Sequence, residues 1–160
     1  MIINTDEDLE KFSSENSQPL ILTNGCFDIL HVGHLRYLQA SKALDSQALL
    51  IVGLNSDSSV KKLKGDNRPI NSELERAELL LGLKPVDHVI IFSESTASKL
   101  LSALRPIIYT KGGDYDLNDY EKCPEFKIAN EINCKIILIN FEQGYSSTKS
   151  ISLLGSNYNA

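Results

Sequence analysis

The sequence has few cysteines, no long apolar run and no excess of basic charge. No apolar stretch approaches the roughly 18 residues that a membrane-spanning helix needs, so we expect neither a transmembrane segment nor a membrane partner. Residues 1–8 are acidic and lack the hydrophobic region of a signal peptide, which favours a cytoplasmic protein. The cysteines, Cys26, Cys123 and Cys134, show no paired spacing, so we interpret them as reduced thiols.

The net charge of −5 argues against a nucleic-acid partner, because such proteins present a basic surface. Positive charge is nevertheless concentrated in one place. Four of the 16 Lys and Arg fall within residues 61–68, after an apolar run that ends at Gly53. We interpret residues 61–69 as a loop beyond the carboxyl end of a strand, where parallel sheets bind ligands. A merely solvated charged loop is the alternative.

The 160 residues, 42% of them apolar, suit one domain over residues 1–160 with a core at about 19–154. Apolar runs predict five strands, and the segments between them have helical spacing. The predicted strands cover residues 19–22, 48–53, 86–92, 107–109 and 135–139. Strands that alternate with helices predict a Rossmann-like, doubly wound α/β domain with a five-stranded parallel sheet.

Capping residues predict where several helices begin. Thr5 with its acidic neighbours predicts a helix over about 6–14, and Ser72-x-x-Glu75 is a capping box for a helix to about Leu81. A further helix is predicted over about 97–104, and Pro124 is placed to begin another. Residues 146–149 predict a last helix whose hydroxyl and backbone N–H groups form an anion site.

The segment from Thr23 to His34 joins the first predicted strand to a helix. His31 and His34 are three residues apart, so both lie on one face of the first helical turn. That turn presents unpaired backbone N–H groups and the positive end of the helix dipole. Gly33 has no side chain, so an anion can approach the backbone between the two rings. The pattern predicts a phosphate site.

Two other interpretations of this segment remain open. The histidines could be ordinary helix-start residues, which leaves Gly33 and the preceding glycine turn unexplained. Cys26, His31 and His34 could instead bind a metal ion, although the other cysteines are distant in sequence. We interpret His88, which stands alone in a predicted strand, as structural.

The His-x-Gly-His segment resembles the motif of the nucleotidyltransferase superfamily, and the resemblance extends from Leu20 to Ile151. The sequence looks like the sugar-nucleotide branch of that superfamily, and more closely it resembles the adenylyltransferase domains of bifunctional ADP-heptose synthases. Those enzymes act in lipopolysaccharide inner-core assembly. The strings that carry this resemblance are Asn-Gly-Cys-Phe-Asp-Ile-Leu-His at 24–31, Asn-Ser-Asp at 55–57, Leu-Lys-Gly-Asp at 63–66 with Arg-Pro at 68–69, Lys-Gly-Gly-Asp-Tyr at 111–115 and Asn-Phe-Glu at 140–142.

The resemblance implies the nucleotidyltransferase fold and a reaction of ATP with D-glycero-β-D-manno-heptose 1-phosphate that gives ADP-heptose and pyrophosphate, with Mg²⁺. It implies that His31, His34 and Lys64 are catalytic residues that act on the transferring phosphate, and it implies no protein metal ligand. The residues that it implies for nucleotide or phosphate binding are Asn24, Gly25, Cys26, Phe27, Gly33, Lys61, Arg68, Lys111, Gly112, Gly113, Asp114, Ser146, Ser147 and Thr148. Arg76 matches a family position whose role stays open.

The resemblance also bears on partners. The sugar-kinase half of the bifunctional enzymes has no counterpart in this sequence, so we expect a separate kinase to supply the phosphosugar. Dimers are common in the family, which makes a homodimer an expectation. Three alternatives stay open: a cytidylyltransferase that acts on glycerol 3-phosphate, a non-catalytic nucleotide-binding subunit, and a metal-binding module.

Overall fold

Strands and helices alternate in the computed structural model, which describes residues 1–112 and 122–139. The strands are β1 Ile2–Ile3, β2 Leu20–Gly25, β3 Leu49–Asn55, β4 His88–Phe92, β5 Ile108–Gly112 and β6 Lys135–Ile139. The helices are α1 Asp6–Glu15, α2 Val32–Lys42, α3 Asp57–Lys64, α4 Glu73–Leu81, α5 Ser98–Leu104 and α6 Pro124–Glu131. Within the described ranges, no helix is both long and apolar enough to cross a membrane.

The strands form one parallel sheet in the order β1-β4-β3-β2-β5-β6. The doubly wound α/β class is confirmed, but the predicted count of five strands is wrong, because residues 1–112 and 122–139 alone supply six strands to the sheet. The additional strand, β1, pairs Ile2 with Val89 and Ile3 with Ile90. A two-residue strand is too short to show an apolar pattern, so only its partner reveals it.

The winding direction changes between β2 and β5. From β2 the chain moves to β3 and β4 on one side, whereas β5 leads to β6 on the other. β2 and β5 are neighbours, with Leu22 opposite Tyr109 and Thr23 opposite Thr110. In open parallel sheets the crevice at the carboxyl ends of two such strands is the usual ligand site.

Side chains of successive strand residues point to opposite faces of the sheet. On β2, Leu20 and Leu22 belong to the core cluster that includes Leu100, whereas Ile21 belongs to the cluster that includes Leu38. The first cluster packs α1, α5 and α6 against one face, and the second packs α2 and α4 against the other. Burial on both faces explains why the central strands are continuously apolar.

A buried chain of hydroxyl groups fixes α2 beside the crevice. Tyr37 of α2 forms a 2.6 Å hydrogen bond with Thr23 of β2, and its hydroxyl donates to Thr110 of β5 at 3.1 Å. Ser41, one turn further along α2, lies 3.1 Å from the same Thr110 hydroxyl. These bonds hold the histidine-bearing helix in register with both strands.

The helix predictions hold in most places. Thr5 accepts from the Asp8 N–H at 3.1 Å, and Ser72 and Glu75 form the capping box. The helices predicted over about 97–104 and from Pro124 are confirmed. The predicted loop is wrong in its first part, because residues 61–64 form the last turn of α3, which begins after the capping residue Ser56.

Candidate functional site

His31 and His34 stand at the crevice where β2 passes into α2. His31 is the residue immediately before α2, with extended backbone, and His34 lies in the first turn. Their rings stack with centroids 3.8 Å apart and planes inclined by 22°. The prediction that both histidines lie on one face of the helix start is confirmed, and buried Gly33 lies between them.

The His34 ring is neutral at ordinary pH. The pKa of His34 is lowered to about 4, mainly by burial and to a smaller extent by the neighbouring charges of His31 and Lys64. The His31 backbone N–H donates to His34 Nδ1 at 3.4 Å, which makes Nδ1 an acceptor. A neutral imidazole whose Nδ1 accepts carries its proton on Nε2. His34 therefore carries its one N–H donor at Nε2.

Residues 26–31, called the β2–α2 turn, connect β2 to α2. Phe27 has a left-handed backbone (φ 42°), and its buried ring packs 5.2 Å from the His34 ring. A Cβ at Gly25 would lie 3.0 Å from the Phe27 ring, so a side chain at position 25 would displace that ring. Because strained non-glycine conformations persist where the surroundings enforce them, the turn indicates a constrained site.

Asp28 fastens the loop after α3 to this turn. It is 1% exposed, and its carboxylate accepts from Arg68 Nε and from the Ile70 N–H, the latter at 2.7 Å. Asn71 Nδ2 donates to the Asp28 carbonyl at 3.1 Å. Arg68 Nη2 is buried and has no hydrogen-bond partner among the described residues. Such a donor is costly to leave unsatisfied, which favours an anionic ligand beside it.

Arg76 of α4 holds three segments of the site together. Its side chain is fully buried, and Nη1 donates to the carbonyls of Cys26 at 2.6 Å and Asn55 at 2.9 Å. Nε donates to the Asn71 carbonyl at 3.0 Å, and Nη2 donates to Asp57 Oδ1 at 2.7 Å. Arg76 thereby fixes the turn after β2, the end of β3 and the start of α3.

Lys61 and Lys64 project from the exposed last turn of α3. They are three residues apart, so they lie on one face of the helix. Lys64 is close enough to lower the pKa of His34 and to offset part of the rise that burial causes in the pKa of Cys26. Cations also stabilise a helix carboxyl end, which accounts for three lysines in one turn without any ligand.

The β5 side of the crevice carries Lys111 and Gly112 at the strand end. Tyr109 donates its hydroxyl to Asn24 Oδ1 at 2.7 Å, which connects β5 to β2. The Lys111 ammonium lies 5.4 Å from the centre of the Tyr109 ring and 3.8 Å from Glu125 Oε1. Burial lowers the pKa of Lys111, and Glu125 and Cys123 partly offset this.

The structure therefore gathers most of the candidate residues at one edge. They are Asn24, Gly25, Cys26, Phe27, His31, Gly33, His34, Lys61, Lys64, Arg68, Lys111 and Gly112. The candidates Gly113, Asp114, Ser146, Ser147 and Thr148, with the predicted last helix, lie outside the described residues.

The described part of the chain brings no three His, Cys, Asp or Glu side chains together in a way that could hold a metal ion. Cys26, His31 and His34 do not form the metal site that the sequence left open. Both Asp28 oxygens are engaged, by Arg68 and by the Ile70 N–H. A magnesium ion at this site would therefore depend mainly on phosphate oxygens of a ligand, as nucleotide-bound Mg²⁺ ordinarily does.

Known proteins share this sequence pattern. The family model described as cytidylyltransferase-like matches residues 22–152. The chain belongs to this family. It is 48% identical over 153 residues to the bifunctional protein HldE of Helicobacter pylori strain J99, covering 96% of this chain and 31% of that protein. The corresponding protein of Campylobacter jejuni subsp. jejuni is 44% identical, with 93% of this chain and 30% of that protein covered. The chain thus spans less than a third of the length of these relatives.

Two solved structures are similar to this chain in fold. A lipopolysaccharide core biosynthesis protein from Thermoplasma volcanium has a TM-score of 0.63 and 30% identity, over 81% of this chain and all of that one. Pantoate-beta-alanine ligase from Francisella tularensis has a TM-score of 0.63 over 100% of this chain and 79% of its own, but at 15% identity it shows only the shared fold. The resemblance to nucleotidyltransferases is confirmed.

Three residues of the site were not assigned roles from the sequence: Asp28, Arg76 and Glu125. Asp28 lies inside the recognised motif and Arg76 lies within a short helix, and neither pattern indicates which residue the side chain contacts. Asp28 contacts Ile70, 42 residues away, and Arg76 contacts Cys26, 50 residues away. Glu125 follows Pro124 in the first turn of α6, where acidic residues are common. Its position is therefore explained by the helix start alone, and the sequence gives no sign of its contact with Lys111.

Proposed function

We propose that this chain is an adenylyltransferase that transfers AMP from ATP to the phosphate of a sugar 1-phosphate. A phosphate oxygen of the sugar phosphate attacks the α-phosphorus, the bond from that phosphorus to the oxygen leading to the β-phosphorus breaks, and pyrophosphate leaves. No covalent enzyme intermediate is part of the proposal, because in-line transfer requires positioning and charge stabilisation above all.

The stacked His31 and His34 pair at the start of α2 carries this proposal. Phosphate is stabilised at a helix amino end by the dipole and by exposed backbone N–H groups. The neutral His34 ring adds an Nε2–H donor in a fixed place, held by the His31 N–H. A donor that is fixed before the reaction stabilises the charge that develops in the transition state without reorganisation.

Positive charge on the β3 side supports the binding of the triphosphate or the sugar phosphate. Lys61 and Lys64 offer exposed ammonium groups at the end of α3. Arg68 is held by Asp28 through Nε, which leaves the buried Nη2 as a donor for an anion. We propose that these three side chains bind phosphate and that Asn24, Gly25, Cys26 and Phe27 line the nucleotide site.

The metal requirement is also part of the proposal. Phosphate oxygens of the nucleotide would hold Mg²⁺, and the ion would supply neutralisation of phosphate charge. The residues of the site would bind and orient the remaining phosphate oxygens.

The proposal also specifies the acceptor of the AMP group. The strings at 63–69 and 111–115 resemble those of ADP-heptose synthases, and one similar structure is a lipopolysaccharide core biosynthesis protein. These observations support D-glycero-β-D-manno-heptose 1-phosphate as the acceptor. A kinase that phosphorylates the anomeric position must supply this substrate. We also propose a cytoplasmic location, because ATP is supplied there. The family resemblance supports a homodimer.

The family description, cytidylyltransferase-like, favours CTP as an alternative nucleotide. The corresponding alternative function is a cytidylyltransferase that acts on glycerol 3-phosphate. Pyrophosphate release should therefore be measured with ATP or CTP, each combined with heptose 1-phosphate or glycerol 3-phosphate, in the presence of Mg²⁺. Release with ATP and the heptose alone supports the proposal. Release with CTP and glycerol 3-phosphate overturns the assigned substrates, and silence in all four mixtures from protein that binds nucleotide indicates a non-catalytic subunit or another acceptor.

A further inference from the structure

Glu125 joins three elements at the β5 side of the crevice. It lies in the first turn of α6 and is 6% exposed. Its Oε1 accepts from the Ala97 N–H at 3.2 Å, immediately before α5, which has no side-chain cap of its own. The same oxygen is 3.8 Å from the Lys111 ammonium at the end of β5.

The Lys111 ammonium is enclosed rather than projecting into water. The side chains of Lys111 and Glu125 are 13% and 8% exposed, and the Tyr109 ring lies beneath the ammonium. Tyr109 in turn donates to Asn24, a residue of the turn that leads to the histidines. A buried charge needs a partner, because its desolvation is otherwise uncompensated.

We propose that Glu125 is a positioning residue for the nucleotide site: its carboxylate holds the Lys111 ammonium charged and in place beside Tyr109 and Asn24 and fixes the start of α5 in the same contact. The inference rests on the proposed function, together with the nucleotide- or phosphate-binding role that the resemblance to nucleotidyltransferases implies for Lys111. Glu125 acts through Lys111 and contacts no substrate itself.

The charge balance gives this role a pH signature. Within the part of the chain that the structure describes, Glu125 and Cys123, both at the start of α6, act on the Lys111 charge, and each favours the protonated ammonium. Burial acts in the opposite direction and lowers the pKa of Lys111. Without the Glu125 charge, less electrostatic stabilisation of the ammonium opposes the effect of burial on the pKa of Lys111. Lys111 should then lose its proton at a lower pH.

The chain contains a matched control. Asp87 also accepts from a backbone amide, the Leu50 N–H at 2.7 Å, and pairs with a lysine, Lys42, at 2.6 Å. Its contacts lie where β3 and β4 begin, at the opposite edge of the sheet. Asp87→Asn therefore removes the same kind of contact away from the site.

The test compares Glu125→Gln, Asp87→Asn, Lys111→Met and the Glu125→Gln/Lys111→Met double variant. Lysine side-chain NMR gives the titration of Lys111, with its resonance assigned by its loss in Lys111→Met. Dissociation constants for ATP with Mg²⁺ are measured over the same pH range. We expect Glu125→Gln to lower the Lys111 midpoint by about one pH unit, and the alkaline loss of ATP affinity to move with it.

Glu125→Asp, which keeps the charge, should restore most of the midpoint, and Asp87→Asn should leave both properties unchanged. In the Lys111→Met background, Glu125→Gln should change ATP affinity less than about twofold. An unchanged Lys111 midpoint in Glu125→Gln, or equal effects of Glu125→Gln and Asp87→Asn, overturns the inference. The NMR titration needs no substrate, so it decides the inference even if the wild-type protein transfers no AMP and the proposed function fails.

Discussion

Arg76 Nη2 donates to Asp57 Oδ1 at 2.7 Å, and this ion pair attaches the start of α3 to the centre of the site. Arg76 is fully buried, whereas the Asp57 side chain is 37% exposed. The same guanidinium contacts the Cys26 carbonyl, next to the turn that leads to the histidines. The lysines at the far end of α3 are therefore placed relative to His31 and His34 through one buried side chain.

Replacing Asp57 by Asn should lower the free energy of unfolding by about 1–2 kcal/mol. The variant loses a charge-assisted hydrogen bond and a carboxylate at a helix amino end. Urea denaturation measures the change. Asp66→Asn, in the exposed turn after α3, is the control and should change stability by no more than about 0.5 kcal/mol. Equal effects would show that the pair contributes nothing.

Replacing His34 by Ala should lower kcat about 100-fold or more, because a donor that is fixed for the transition state is lost. Steady-state pyrophosphate release measures kcat, and circular dichroism verifies that the variant is folded. His88→Ala is the matched control, since His88 packs against Phe12 with its ring centroid 4.9 Å away, at the start of β4. A folded His34→Ala variant with wild-type kcat contradicts the role given to His34.

Replacing Lys64 by Ala should raise the KM for the anionic substrate about tenfold, equivalent to about 1.4 kcal/mol, with little change in kcat. This pattern is expected if the ammonium contacts phosphate equally in the ground and transition states. Lys62→Ala removes a lysine from the same turn but from a different side of the helix. Similar rises in both variants would indicate general surface charge rather than a specific contact.

The lowered pKa of His34 predicts a pH dependence of stability. Between its ordinary value near 6.5 and the folded value of about 4, the unfolded chain binds a proton at residue 34 and the folded chain does not. The contribution of His34 to the free energy of unfolding should therefore fall as the pH falls through this window and level off below it. Urea denaturation at pH 7 and pH 4.5 should show a smaller decrease in His34→Ala than in the wild type.

NMR titration of the His34 ring provides the direct check on that prediction. A midpoint near 6.5 in the absence of nucleotide would contradict the buried, neutral ring that the mechanism uses.

Local patterns in the sequence were sufficient for much of the fold. The caps at Thr5 and Ser72 and the apolar runs of the central strands depend on neighbouring residues or on burial at both faces. The sequence analysis did not predict α3, because Val60 is its one buried apolar residue and Leu63 is 56% exposed. Its ends carry the signal instead, in the Ser56 cap and in Gly65 at positive φ.

The candidate site divides in a similar way. The stacked histidines were predictable because a three-residue spacing at a helix start fixes their common face. The Arg76 and Glu125 contacts were not predictable, since each joins residues from elements far apart in the chain. Arg68 appeared in the sequence only as part of a basic run, whereas its pairing with Asp28 depends on how the loop folds back over the turn.

The most direct test of the account follows the α-phosphate of the nucleotide. Purified protein with Mg²⁺, ATP labelled at its α-phosphate and heptose 1-phosphate should give a labelled ADP-sugar and unlabelled pyrophosphate, with no label bound to the protein. Label that remains in ATP, although the protein binds the nucleotide, would contradict adenylyl transfer to this acceptor. Label on the protein itself would contradict the direct attack at the α-phosphorus.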